Sequence, residues 1–276
     1  MLPFTMRTLR LWISYDGTSY AGWQRQAGSE TIQEHLERAA YLVAGESVTV
    51  HGAGRTDAGV HALGQAAHLR LEGGPPTQSF HLAMNSLLPE DIRVLAAREV
   101  PAHFHSRFSA TGKRYLYRVL TGDVRDPIGR RYAYWFRRSL DIEAMRQAVP
   151  HLIGRKDYAA FAGNPGYRRR RPTIRRIVAM HLLASPAGVD VHVQGDGFLY
   201  RMVRNLVGSL LEVGRGKRPP GWIREVLLSK DRSLAGPTLP PMGLFLTRVL
   251  YPPEFGGDEP RPACGFWSPP DAETIY

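Results

Sequence analysis

Leu9, Leu11, Ile13 and Tyr15 alternate with Arg10, Trp12 and Ser14 near the start of the chain, and residues two apart share one face of an extended strand. This pattern predicts a strand with one buried face. The period then changes. Ile32, Leu36, Ala39, Ala40 and Val43 fall on one helical face, Thr31-Ile32-Gln33-Glu34 has capping-box spacing, and Gly45 is placed to stop the helix. Further strands are expected from Val48 and Val50, over 65–71 and over 92–100, with a helix over 80–88 that ends at Pro89.

The second half repeats this grammar. A strand over 113–120 precedes a helical stripe of Ile142, Met145, Val149 and Leu152. Strands over 174–183 and 189–193 flank the turn Ser185-Pro186-Ala187-Gly188, followed by helices over 198–213 and 220–228 and a closing strand over 243–251. Hairpins intermixed with helices predict an α+β fold: two related α/β subdomains with mainly antiparallel sheets flanked by helices, around a central cleft. The expected boundaries are 1–107, 108–251 and a Pro- and Gly-rich tail at 252–276.

Charge narrows the partners. Thirty-six basic residues stand against 25 acidic, a net charge of +11, and such a field draws in polyanions. Only Lys113, Lys156, Lys217 and Lys230 are lysines. The remaining basic residues are arginines, whose forks bind phosphate bidentately and stack on bases, although GC-rich coding also favours arginine. No apolar run approaches the roughly 18 residues of a membrane span, and the first residues form no signal peptide. Cys264 is the single cysteine, which excludes an internal disulfide and fits a reducing cytoplasm.

The densest chemical signal is Gly52-Ala53-Gly54-Arg55-Thr56-Asp57-Ala58-Gly59. Its glycines permit positive φ and close backbone approach to a ligand, and Arg55 and Asp57 sit between them. On spacing alone the segment is either a hairpin loop with a solvated ion pair or a reactive site at a strand end; it is neither a phosphate loop nor a dinucleotide fingerprint. Residues 104–118 interleave basic and aromatic side chains, which suits unstacked RNA bases, although Tyr115, Tyr117 and Val119 also fit the buried face of a strand. His103 and His105 have the spacing of a metal pair but no acidic or cysteine partner nearby, so no metal is expected. Arg204 sits at the edge of an apolar helical stripe, where it must snorkel outward or meet a carboxylate. Arg168, Arg169, Arg170 and Arg171 form a run that is either a solvated loop or a phosphate-contact patch.

Taken in order, several blocks resemble the family of tRNA pseudouridine synthases that modify positions 38–40 beside the anticodon. The blocks are Tyr15-Asp16-Gly17-Thr18 with Gly22-Trp23-Gln24-Arg25-Gln26, Gly54-Arg55-Thr56-Asp57-Ala58-Gly59-Val60-His61, and Asn85-Ser86-Leu87-Leu88-Pro89 with Asp91-Ile92. Phe104-His105-Ser106-Arg107-Phe108-Ser109-Ala110, Met202-Val203-Arg204-Asn205-Leu206-Val207-Gly208 and Gly243-Leu244 complete the set. The resemblance implies Asp57 as the catalytic aspartate, Tyr115 as the active-site tyrosine, Arg204 as its basic partner, and Arg55 as an arginine that helps hold the flipped nucleotide. It also implies a homodimer that binds the tRNA anticodon stem-loop across both subunits and needs no cofactor or metal. Arg168, Arg169 and Arg170 are expected on the tRNA-facing rim. The alternative is a non-catalytic basic RNA-binding module, which explains the charge and the aromatics but gives no reason for a carboxylate on the loop. A glycosidic hydrolase would call for a second acid, and none lies in these blocks.

Overall fold

The computed structural model describes residues 6–164 and 172–255. Its elements are mixed α/β, and the described residues fall into two compact units, 6–111 together with 246–255, and those between 112 and 245. Each unit combines a mainly antiparallel sheet with helices.

In the first unit, β1 (Arg7–Tyr15) lies between β3 (His61–Leu71) and β4 (Ile92–Val100), antiparallel to both. The short β2 (His51–Gly52) pairs with β3, as does the part of β10 (Leu244–Leu250) that begins at Leu246. Helices α1 (Ile32–Ala44) and α2 (Thr77–Asn85) complete the unit, and α1 ends where Gly45 turns left-handed at φ 73°.

Four expectations change here. β1 is buried on both faces, because Trp12 and Arg10 face a layer that alternation alone does not reveal. The Arg10 guanidinium sits 4.1 Å from the ring centroids of both Trp12 and Tyr251, and its Nη1 donates to the Phe255 carbonyl at 3.1 Å. Phe255 also packs with Val100 and Phe104, so part of the Pro- and Gly-rich tail belongs to a core. Val48 and Val50 make no strand. Instead, the Val50 N–H donates to Glu37 Oε1 and its carbonyl accepts from Gln33 Nε2, so side chains of α1 take the bonds a sheet neighbour would have taken. The capping box is not made either: Thr31 is the extended N-cap of α1, but its hydroxyl caps nothing.

The second unit contains β5 (Gly112–Thr121), β6 (Tyr134–Phe136), β7 (Gly154–Asp157), β8 (Ile174–Ser185) and β9 (Gly188–Gly195). The order β5-β9-β8-β7 is antiparallel throughout, and β6 runs parallel to β5. The predicted hairpin forms across residues 185–188. The short strands β6 and β7 carry too few alternating residues for period to reveal them.

Helices α3 (Ile142–Ala148), α4 (Met202–Gly214) and α5 (Trp222–Ser229) pack in this unit. α4 starts four residues later than the periodicity suggests, because Arg201 adopts φ 57° and ends the preceding turn. It is also buried on every side rather than along one stripe. Segment 235–239 lies against it. A Cβ added at Gly208 would come within 1.9 Å of the Pro237 carbonyl oxygen, and Gly236 N–H donates to Ser209 Oγ at 2.9 Å.

This contact decides the sign of one substitution. Alanine is the better helix former by about 1 kcal/mol, yet Gly208→Ala drives a methyl group into backbone. The expected result is a net loss of roughly 1–3 kcal/mol in a urea melt; a gain in stability would show that α4 and segment 235–239 are not closely packed.

Candidate active site

The loop between β2 and β3 is tied down along its length. Ala53 N–H donates to the Ala66 carbonyl at 2.7 Å, and Gln65 Nε2 donates to the Gly54 carbonyl at 2.8 Å. The Thr56 carbonyl accepts from Trp23 N–H at 3.1 Å, and its buried Oγ1 lies 2.9 Å from the Tyr15 hydroxyl. Burial pushes the Tyr15 hydroxyl up to about 12, against the opposing pull of its bonds to Thr56 and Gln65, so it stays protonated. Past the aspartate, Val60 N–H returns to the Asp57 carbonyl and Gly59 N–H reaches the Tyr20 carbonyl.

Two glycines outside the loop permit this closeness. Gly17 leaves room for the Val60 carbonyl, which would be 2.0 Å from an added Cβ. Gly22, at φ 100°, sits against the Thr56 carbonyl, 2.6 Å from an added Cβ. The sequence blocks around 15–26 and 85–92 therefore form a brace. Tyr20 donates its hydroxyl to Asp91 Oδ1, Asp16 N–H donates to the Asp91 carbonyl, and Asn85 exchanges two bonds with the backbone of Val94. His61 Nδ1 faces both Gly17 N–H and Asp16 Oδ1, at 3.1 and 3.0 Å. Thr56 is buried, Asp57 is half-buried and Arg55 is exposed. Fixing Thr56 inward thus turns its two charged neighbours out of the core. Sequence reasoning missed this role of Thr56 and Tyr15, although a hydroxyl flanked by two charges was the available signal.

Tyr115 and Arg204 belong to the second unit. Tyr115 is on β5, nearly buried, with its ring edge-on to Phe198 at 5.0 Å. Its neighbour Tyr117 is the core tyrosine, fully buried, with its hydroxyl donating to the Pro240 carbonyl at 2.7 Å. Burial raises the Tyr117 hydroxyl well above the ordinary phenol value, while the Arg204 guanidinium pulls it the other way. Arg204, on α4, is buried rather than snorkelling. Its Nε donates to the Leu239 carbonyl at 2.6 Å, and Leu239 N–H donates back to the Arg204 carbonyl. Next to it, Asn205 donates to the Phe161 carbonyl and accepts from Thr238 and Arg232, which locks this face of α4 to its surroundings. Arg168, Arg169 and Arg170 lie outside the described residues.

A family model described as tRNA pseudouridine synthase matches residues 11–109 and 148–252. Arg55, Asp57 and Arg204 fall inside the matched segments, and Tyr115 falls between them. The chain is 44% identical to tRNA pseudouridine synthase A of Clostridium kluyveri, over 89% of this chain and all of that protein. It is 43% identical to the protein of that name from Geobacter sp., over 90% of this chain and all of that one. For the Methylococcus capsulatus protein the figures are 42%, 90% and 91%. These matches place the chain in an isomerase class. It belongs to the tRNA pseudouridine synthase family.

Beside the loop, three imidazoles pack together, His51 stacked on His68 and His105 tilted against both. His68 is buried, with its ring 5.0 Å from His51 and 4.7 Å from His105. Ser106 N–H donates to His68 Nδ1 at 3.2 Å, and Ser106 Oγ donates to the His51 carbonyl at 2.5 Å. Among the described residues no group of three or more His, Cys, Asp or Glu is arranged to hold a metal. His103 packs instead against Phe255, so it and His105 point to different neighbours. Burial, then the nearby His105 and His51, lower His68 from 6.5 to about 4.

A lowered histidine binds its proton more readily when unfolded, so stability is complete above about pH 6.5 and is lost as pH falls toward 4. At about 1.4 kcal/mol per pKa unit, His68 alone accounts for roughly 3–4 kcal/mol across that window. His68→Asn keeps an acceptor for Ser106 N–H. Urea melts at pH 7.5 and 4.5 should show a smaller acid-induced loss for the variant than for wild type; equal losses would remove His68 from the linkage.

Proposed function

We propose that this enzyme isomerises uridine to pseudouridine at positions 38, 39 and 40 of the tRNA anticodon stem-loop, with Asp57 as the nucleophile. The observation that carries this reading is the braced loop: buried Thr56, held by Trp23 and Tyr15, presents Asp57 on a backbone with little freedom to move. A carboxylate on such a loop weakens simple binding to a polyanion but serves a reaction that needs a nucleophile at a defined point.

The chemistry proceeds as follows. The target uridine leaves its stack at a cost of a few kcal/mol. The Asp57 carboxylate attacks either C1′ of the ribose or C6 of the base, and the N1–C1′ bond breaks. The uracil turns until C5 faces C1′, the C5–C1′ bond forms, and the carboxylate is released. C5 loses its proton and N1 gains one, so the product is an isomer of the substrate. Arg55, exposed on the same loop, helps hold the flipped nucleotide. Tyr115 stacks on the base, returning roughly 1–3 kcal/mol of the unstacking cost, and Arg204 is the basic partner in the reaction. Arg168, Arg169 and Arg170 contact tRNA phosphates. The enzyme works in the cytoplasm as a homodimer, without cofactor or metal. The net charge of +11 and the family membership support a tRNA substrate.

The second reading, a basic module that binds RNA without reacting, is separated by one experiment. Tritium release from tRNA carrying 5-tritiated uridine is compared for wild type and Asp57→Asn, alongside their tRNA affinities. The enzyme should release tritium, and Asp57→Asn should lose at least roughly three orders of magnitude in rate while its dissociation constant changes only a few-fold. Wild type that binds tRNA but releases no tritium would leave the binding module as the function.

A further inference from the structure

Phe108 is 67% exposed, a large aromatic ring in water within a unit whose other aromatics are mostly buried. It is not an isolated side chain at a loop tip. Its centroid lies 4.4 Å from that of His105, whose ring in turn packs at a tilt against buried His68, 4.7 Å away. His68 is fixed by Ser106, and Ser106 is held by the His51 carbonyl and by Tyr251, whose hydroxyl donates to the Ser106 carbonyl. The exposed ring is therefore backed by a column of rings rooted in the core. Such a platform loses little side-chain entropy when something flat settles on it.

The surroundings are cationic. The Arg107 guanidinium lies 5.9 Å from the Phe108 centroid. Exposed Arg70 is held over this region by its bond to the Ala102 carbonyl, 2.9 Å. Burial first, and then the charges of His51, Arg70 and Arg107, lower His105, so both arginines act at the same imidazole. A flat apolar face among guanidinium groups suits a nucleobase with its phosphates better than an apolar protein groove, which would leave those cations desolvated. Its position also fits. His51, whose ring is 5.8 Å from His105, precedes Asp57 by six residues, so their Cα atoms lie at most ~20 Å apart.

We infer that the Phe108 face, backed by His105, is a stacking platform for one unpaired RNA base near the target uridine, with Arg70 and Arg107 taking adjoining phosphates. This rests on the RNA-modifying reading of the same unit and adds a binding subsite to it. Stacking recognises any base, so the platform contributes affinity and register rather than sequence preference.

The test uses the full chain and an unmodified tRNA transcript. Phe108→Ala should weaken tRNA binding roughly 5- to 150-fold and raise KM by a similar factor, with kcat within about twofold of wild type and the thermal midpoint unchanged. Phe108→Trp should restore affinity, whereas Phe108→Leu, equally apolar but without a π face, should not. If Phe108→Ala binds tRNA as wild type does while wild type isomerises uridine, the platform is wrong and the enzyme assignment stands. If wild type neither binds nor isomerises, the underlying function fails first. Rescue by leucine, or a change in the sedimentation of the RNA-free protein on Phe108→Ala, would make the ring a protein contact and overturn the proposal.

Discussion

The Thr56 carbonyl accepts the Trp23 N–H while its hydroxyl meets the Tyr15 phenol, and these two bonds fix the backbone one residue before Asp57. Much of the first unit serves this arrangement. Tyr15 is the last residue of a strand bonded on both sides, so its ring is placed by two ladders. Trp23 is delivered by the segment after Gly17 and Gly22, which is pinned through Tyr20 and Asp16 to Asp91. A typical neutral hydrogen bond adds only ~1 kcal/mol net, whereas leaving a buried donor or acceptor unmet costs ~1–3 kcal/mol. The brace therefore acts chiefly by making other loop conformations expensive.

Buried arginines are handled in the same manner in both units. Arg10 lies between the rings of Trp12 and Tyr251 and donates to the Phe255 carbonyl. Arg204 donates to the Leu239 carbonyl from a helix that is buried all round. Guanidinium suits this use, because it is more weakly hydrated than an ammonium and offers donors in a fixed plane. Lysine at either position would lose both the plane and the fork. In each case the arginine secures a segment distant in sequence: the stretch after β10 onto β1, and segment 235–239 onto α4.

The long elements were legible because their period is strong. β4 spans the predicted residues, β5 extends the prediction by a residue at each end, and the hairpin of β8 and β9 turns where Pro186 and Ala187 demand. What escaped was whatever depends on a partner distant in sequence. Alternation in β1 suggested one buried face, because nothing in residues 7–15 announces Tyr251 and Phe255. Val48 and Val50 read as strand because period cannot show that Gln33 and Glu37 would take their backbone bonds. At the site, Arg55 and Asp57 stood out through their glycine neighbours, and family resemblance singled out Tyr115 and Arg204. The histidine cluster stayed hidden, because His51, His68 and His105 are separated in sequence and joined only by strand register and a turn.

If the braced loop matters because it places the carboxylate, then keeping the charge and moving it by one methylene should be almost as damaging as removing it. The most direct measurement is the single-turnover rate of pseudouridine formation by Asp57→Glu at saturating enzyme. A displacement on the order of 1 Å can cost about 100-fold, so the variant should fall at least that far below wild type while binding tRNA normally. A rate within about tenfold of wild type would contradict the account, because the reaction would then need a carboxylate in the vicinity and not the position that Thr56, Trp23 and Tyr15 enforce.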